Sequence, residues 1–153
     1  MKCYLKKIRA QRELKKSPKL SIVSLGFESF LEAGGCIRFK TLDTKFFKDF
    51  FDNNIPVLTG LNATYLYRTR RECYTQDGHS FFDDIMGEPT GHFVVLCGYT
   101  EKKRQVLIAD PFKKAPFCSD KSQQYKVSMS RLINAILLGV VTYDANVLII
   151  EPK

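Results

Sequence analysis

The stretch that decides the fold runs from Gly91 to Pro111. It reads Gly91-His92-Phe93-Val94-Val95-Leu96-Cys97-Gly98, then a charged turn from Tyr99 to Arg104, then Gln105-Val106-Leu107-Ile108-Ala109-Asp110-Pro111. Two apolar runs of strand length separated by a short polar turn predict a β-hairpin with buried strands. His92 opens the first strand and Asp110 closes the second, so the register of the turn decides whether they meet. With a three-residue loop, Glu101 to Lys103, Asp110 faces Val94 and becomes a diagonal neighbour of His92 on one face, about 7–8 Å away at the backbone. A five-residue loop keeps that arrangement, and a four-residue loop puts the two residues on opposite faces.

Working outward, Ser128 caps a helix through Leu132, Ile133, Ile136 and Leu137 to Gly139, and Val147 to Ile150 forms a closing strand. Upstream, Ile55 to Gly60 is an apolar strand. Residues 61 to 91 hold little periodicity: Tyr65 and Tyr67 can continue the strand, and 73 to 91 read as an irregular surface loop. Before them lie three helices. Residues 2 to 16 form a basic helix with a thin apolar stripe of Leu5, Ile8 and Leu14. Ser17-Pro18 starts a second helix with Leu20, Val23, Phe27, Phe30 and Leu31 on its apolar face, ended by Gly34-Gly35. Thr41 or Asp43 caps a third, which buries Phe46, Phe47, Phe50 and Phe51 and ends at Asn53-Asn54. Between the second and third, Cys36 to Lys40 alternates as a short strand with Cys36 turned inward. Helices first and mostly antiparallel strands later make the class α+β.

Composition agrees with one globular domain. The 153 residues are 44% hydrophobic, which excludes disorder and fibrous classes. The net charge of +8 is local: residues 1 to 19 carry eight Lys or Arg against one Glu, and the remainder sixteen against fifteen. A basic face on the body, and with it nucleic-acid binding, is therefore not expected. Arg68, Arg70 and Arg71 interleave with Tyr65, Tyr67 and Tyr74, but the acidic residues that follow make this a self-neutralised loop. No apolar run reaches the roughly 20 residues of a membrane span, and no secretory signal opens the chain. The expected location is the cytoplasm, with the five scattered cysteines reduced. No zinc spacing and no cofactor motif is present.

A carboxylate that holds an imidazole in one tautomer is half of a nucleophilic triad, which makes His92 and Asp110 the candidate catalytic residues. The strings Gly91 to Tyr99 and Val106 to Pro111, with Ile55 to Leu61, resemble the His strand, the Asp strand and the strand before them in papain-like cysteine peptidases of the bacteriocin-leader-processing type. A poorly characterised bacterial branch also resembles Leu61 to Arg68, Gly87 to His92 and Leu132 to Asn146. The resemblance implies an incomplete papain-like fold across residues 1–153, with a basic helix (1–19), a helical part (20–54) and a sheet part (55–153), corresponding to the later two-thirds of such a domain. It implies His92 as general base and Asp110 as its orienter. The family's Cys-Gly-Pro nucleophile is missing. Cys97 lies on the strand face opposite His92 and reads as core, Cys3 lacks an oxyanion donor, and Cys73 and Cys118 fall in loops. The expectation is a peptidase-like fragment inactive alone: a truncated product, a subunit completed by another segment, or a pseudopeptidase module; the non-enzyme rival is a binding module whose basic N-terminal helix contacts an acidic partner, nucleic acid or a membrane surface. The fragment's partners would be a peptide or protein, or a second copy covering an exposed cleft face.

Overall fold

The computed structural model describes residues 2–113, 115–118, 122–142 and 145–151, with side chains from Tyr4 onward. The chain divides into two compact units, Met1–Thr41 and Leu42–Lys153.

The first unit is a helical hairpin, α1 (Lys2–Lys15) and α2 (Pro18–Glu32). Ser17 ends the connection as predicted: its hydroxyl accepts from the Leu20 amide at 3.4 Å, and Pro18 occupies the first turn, where its missing N–H costs nothing. α2 stops at Gly34, whose φ of +95° few other residues tolerate; the Gly34 and Gly35 amides return to the carbonyls of Leu31 and Phe30. Leu5, Ile8, Leu20 and Val23 are half-buried and Leu31 is buried. The expected strand at 36–40 does not form. Alternation alone is insufficient without a neighbouring strand to satisfy the backbone, and Cys36 and Phe39 are exposed instead of packed.

In the second unit, Asp43 caps α3 (Thr44–Phe51) by accepting from the Phe46 amide at 2.7 Å. Phe47 is fully buried and Phe46, Phe50 and Phe51 pack half-buried around the core. The sheet strands are β1 (Val57–Asn62), β4 (Gly91–Thr100), β5 (Gln105–Ala109), β6 (Gln124–Ser128) and β7 (Val147–Ile149); β2 (Glu72–Tyr74) and β3 (Ser80–Phe82) form a separate hairpin inside the region expected to be irregular. The five strands are antiparallel in the order β6-β5-β4-β1-β7. α5 (Met129–Leu138), capped by Ser128 as predicted, lays Met129, Leu132, Ala135 and Ile136 into the core with Val57, Leu61, Val94, Leu96, Val106 and Ile108. The architecture is α+β, with helices preceding a mainly antiparallel sheet. No described helix is long and apolar enough to cross a membrane.

Two features around the hairpin matter for the site. β1 ends in a short helix, α4 (Ala63–Tyr67), and does not continue through Tyr65 and Tyr67. Asn62 turns the chain: its side chain accepts from the Tyr65 amide at 2.8 Å, capping α4. The β4–β5 register is also not uniform. Thr100 pairs with Gln105, Tyr99 with Val106 and Gly98 with Leu107, a four-residue loop that by itself would separate His92 from Asp110. Beyond the bulge at Cys97, however, Leu96 pairs with Ile108 and Val95 with Ala109. The extra residue restores the register in which Asp110 follows on opposite Val94. Cys97 is accordingly exposed at the bulge; it is not a core residue.

Candidate functional site

His92 lies at the beginning of the central strand β4 and Asp110 just past the end of β5, at one end of the sheet. Both continue the buried stripe of their strands, Val94 and Leu96 on one and Val106 and Ile108 on the other, so both reach the core-facing side. The structure brings them together: His92 Nε2 is 2.8 Å from Asp110 Oδ1.

The Asp110 carboxylate accepts four hydrogen bonds. It is fully buried. Oδ1 accepts from the His92 ring and from the Phe112 amide at 2.8 Å, while Oδ2 accepts from the hydroxyls of Tyr67 and Tyr125, each at 2.6 Å. The backbone is pinned as well. The Asp110 amide donates to the Gln123 carbonyl at 2.9 Å, and Gln123 Nε2 donates to the Asp110 carbonyl at 3.0 Å. Burial pushes the Asp110 carboxyl upward, but the bonds from His92, Tyr125, Tyr67 and the Phe112 amide outweigh it and bring the pKa to about 2. The same burial, with the neighbouring Asp110 charge, raises both tyrosines well above their ordinary value, so they remain neutral donors.

An ionised Asp110 accepts only, so His92 Nε2 carries the proton, and in the neutral ring Nδ1 offers a lone pair. The His92 side chain retains 24% of its exposure. Around it stand Tyr67 and Phe112, with ring centroids 6.1 and 6.3 Å from the imidazole, and Phe117 packs on Tyr67 and Tyr125. Phe112 and Phe117 are partly open to solvent. The arrangement is a base held in one tautomer by a carboxylate that stays charged, at the edge of an aromatic patch.

The two tyrosines escaped the sequence reading. Tyr125 was legible in principle, because Gln124-Tyr125-Lys126-Val127-Ser128 alternates polar and apolar residues with period two, the burial pattern β6 shows. Tyr67 gives no such signal, since its place depends on the turn at Asn62. Among the thiols, Cys36 and Cys97 are exposed, Cys73 lies in β2, Cys118 is half-buried, and the Cys3 side chain lies outside the described residues. Arg70 forms a 2.8 Å ion pair with Asp84, as expected of a self-neutralised loop. Among the described residues no group of three or more His, Cys, Asp and Glu side chains is placed to hold a metal ion.

The sequence model of the guanylylate cyclase family matches residues 11–132, about four fifths of the chain, and the matched span contains His92, Asp110, Tyr67 and Tyr125. The chain belongs to the guanylylate cyclase family. No curated protein and no solved structure is significantly similar to it. The family assignment corrects the resemblance to papain-like cysteine peptidases, and the peptidase-fragment, hydrolase and pseudopeptidase readings fall with it. The physical reason lies in the strings that carried the likeness. Nearly half of the three strand strings, ten of their 22 residues, is Val, Leu or Ile, the residues any half-buried antiparallel strand favours. Their chemically specific content is one His and one Asp, a pair that proton-transfer sites of many kinds share.

Proposed function

We propose that this chain, like the activity its family is named for, cyclises a guanine nucleotide, with His92 as the general base. In that reaction the ribose 3′-hydroxyl of GTP attacks the α-phosphorus. The new O3′–P bond forms as the bond from the α-phosphorus to the bridging oxygen breaks, and pyrophosphate leaves with that bond's electron pair. The 3′-hydroxyl proton passes to His92 Nδ1, while Asp110 stabilises the resulting imidazolium through Nε2. Asp110 is a positioning residue, and the exposed Phe112 ring beside His92 supplies a face on which a purine can stack.

The observation that carries the reading is the 2.8 Å His92–Asp110 pair, with the imidazole still partly open, inside the span that matches the family. The test is incubation of the chain with GTP and magnesium, followed by mass-spectrometric quantification of cyclic GMP and pyrophosphate. Equimolar products are expected, falling about 10²–10⁴-fold in His92→Gln while the fold is retained. A folded wild-type chain that makes no cyclic GMP, or a His92→Gln chain that makes as much as wild type, overturns the assignment.

A further inference from the structure

The helical hairpin buries Leu31 and half-buries Leu20 and Val23, yet it also turns large apolar side chains outward. α2 turns Ser24 and Glu28 inward, 4% and 7% exposed, and turns Ile22, Leu25, Phe27 and Phe30 outward, with Ile22 at 72% and Leu25 at 49%. The inward polar groups are satisfied: Arg9 and Arg12 reach the Glu28 carboxylate at 3.1 and 3.0 Å, and Arg9 also reaches Glu32. The outward apolar groups have no such account. An ordinary amphipathic helix does the opposite, because exposing large aliphatic side chains gains nothing in water.

Charge marks the same region. Residues 1–41 hold ten Lys or Arg against three Glu, so nearly all of the chain's excess of positive charge lies there. Arg9 and Arg12 are spent on Glu28 and Glu32. Among the described residues no carboxylate lies within ion-pair distance of Lys6, Lys7, Lys15 or Lys16. At the hairpin's bend the two features merge. Leu14, 82% exposed, ends α1 beside Lys15 and Lys16, and Ile22 lies in the first two turns of α2, just after Lys19. Two largely exposed aliphatic side chains thus lie within three residues of lysines at the end of the helix pair where the chain turns.

From this juxtaposition we infer that the α1–α2 hairpin docks the protein peripherally on an anionic phospholipid bilayer, inserting Leu14, Ile22 and Leu25 at the headgroup boundary while Lys15 and Lys16 meet the lipid phosphates. A bilayer surface is the one partner that rewards both features at once without requiring a complementary shape. Apolar side chains gain by leaving water, and lysines near the anionic surface gain by attraction to its phosphates. A polyanion such as nucleic acid would use the lysines and leave the aliphatic side chains exposed. The inference is independent of the reaction at His92.

The experiment is co-sedimentation of the full chain with phosphatidylcholine vesicles, with and without phosphatidylserine. Binding is expected only to the anionic vesicles and should weaken as salt is raised. Ile22→Glu with Leu25→Glu should lower it about tenfold or more with unchanged helicity, since both side chains are exposed. Lys15→Glu with Lys16→Glu should lower it by a similar factor. No binding to anionic vesicles overturns the inference. So does binding indifferent to the Ile22 and Leu25 substitutions, or binding displaced by heparin with those substitutions silent, either of which would mark a general polyanion site.

Discussion

Among the described residues each of the two units buries one carboxylate, and they hold it by opposite means. Glu28 lies between α1 and α2 and is bonded by two guanidinium groups. Burial pushes its carboxyl upward, but Arg12 and Arg9 pull it below its ordinary value. Its partners never titrate near neutral pH, so the cluster can only clamp one helix to the other. Asp110 is bonded by an imidazole, two phenols and a backbone amide. None of these carries a fixed charge, and one is an imidazole, whose second nitrogen is left free to accept a proton. A carboxylate stabilised by fixed cations is a structural clasp; one stabilised by neutral donors around a histidine is equipped to share a proton's charge. The partners of Asp110 also come from α4, β4, β6 and the loop after β5, so the site depends on sheet register as the clasp of Glu28 does not.

That dependence gives the largest expected effect. Val95 pairs with both Leu58 and Ala109, whereas Cys97 has no partner on either neighbouring strand. Deleting Val95 shifts the start of β4 by one residue against both neighbours and turns His92 to the other face, so cyclic GMP formation and cooperative unfolding should both be lost. Deleting Cys97 removes the bulge but leaves Leu96 opposite Ile108 and Gly98 opposite Leu107. It should cost less than about 2 kcal/mol and keep most of the activity. Equal damage from the two deletions, measured by chemical denaturation and product yield, would break the register argument.

The next effect separates the carboxylates by pH. Because the folded Asp110 carboxyl lies at about 2, below its ordinary 3.8, its contribution is present above the ordinary value and is lost as pH falls through the folded one. The difference corresponds to about 2 kcal/mol. Stability of the wild type should therefore decline between about pH 4 and pH 2 by this amount more than that of Asp110→Asn, with the gap between the two constant above pH 5. Denaturation midpoints collected across that range decide the matter. A gap that stays constant down to pH 2 would mean that Asp110 is not held ionised by its bonds.

Much of this was readable from residue types, and the misses share a cause. Ser17, Asp43 and Ser128 announced their helices because capping is local chemistry, settled within three or four residues. The phenylalanines of α3 declared its buried face for the same reason. Loop length alone leaves the pairing of His92 with Asp110 open and, at the four residues observed, forbids it; the bulge at Cys97, which no residue pattern signals, brings the two together. Tyr67 was misplaced because its strand propensity lost to the Asn62 cap. The alternation at 36–40 met no neighbouring strand and formed nothing. The peptidase likeness failed where strand composition stood in for chemistry.

The smallest effect concerns the two tyrosines that share Asp110 Oδ2. Each hydroxyl lies 2.6 Å from the same oxygen, so they are not independent donors. Removing one by Tyr67→Phe or Tyr125→Phe leaves the carboxylate still held by three groups and should cost about 1–2 kcal/mol, as a hydrogen bond to a buried charge does. Removing both takes away the two hydroxyl donors of Oδ2 on a carboxylate that is itself fully buried. The double variant should therefore lose more than the sum of the single ones, with a coupling of about 0.5–1 kcal/mol in a double-mutant cycle. The cycle also distinguishes the two carboxylates. For Glu28, Arg9 and Arg12 approach different oxygens at their shortest contacts, so Arg9→Met and Arg12→Met should come closer to additivity. Additive tyrosines would mean that the hydroxyls merely fill space beside Asp110, and the carboxylate would then owe its charge to His92 and the Phe112 amide alone.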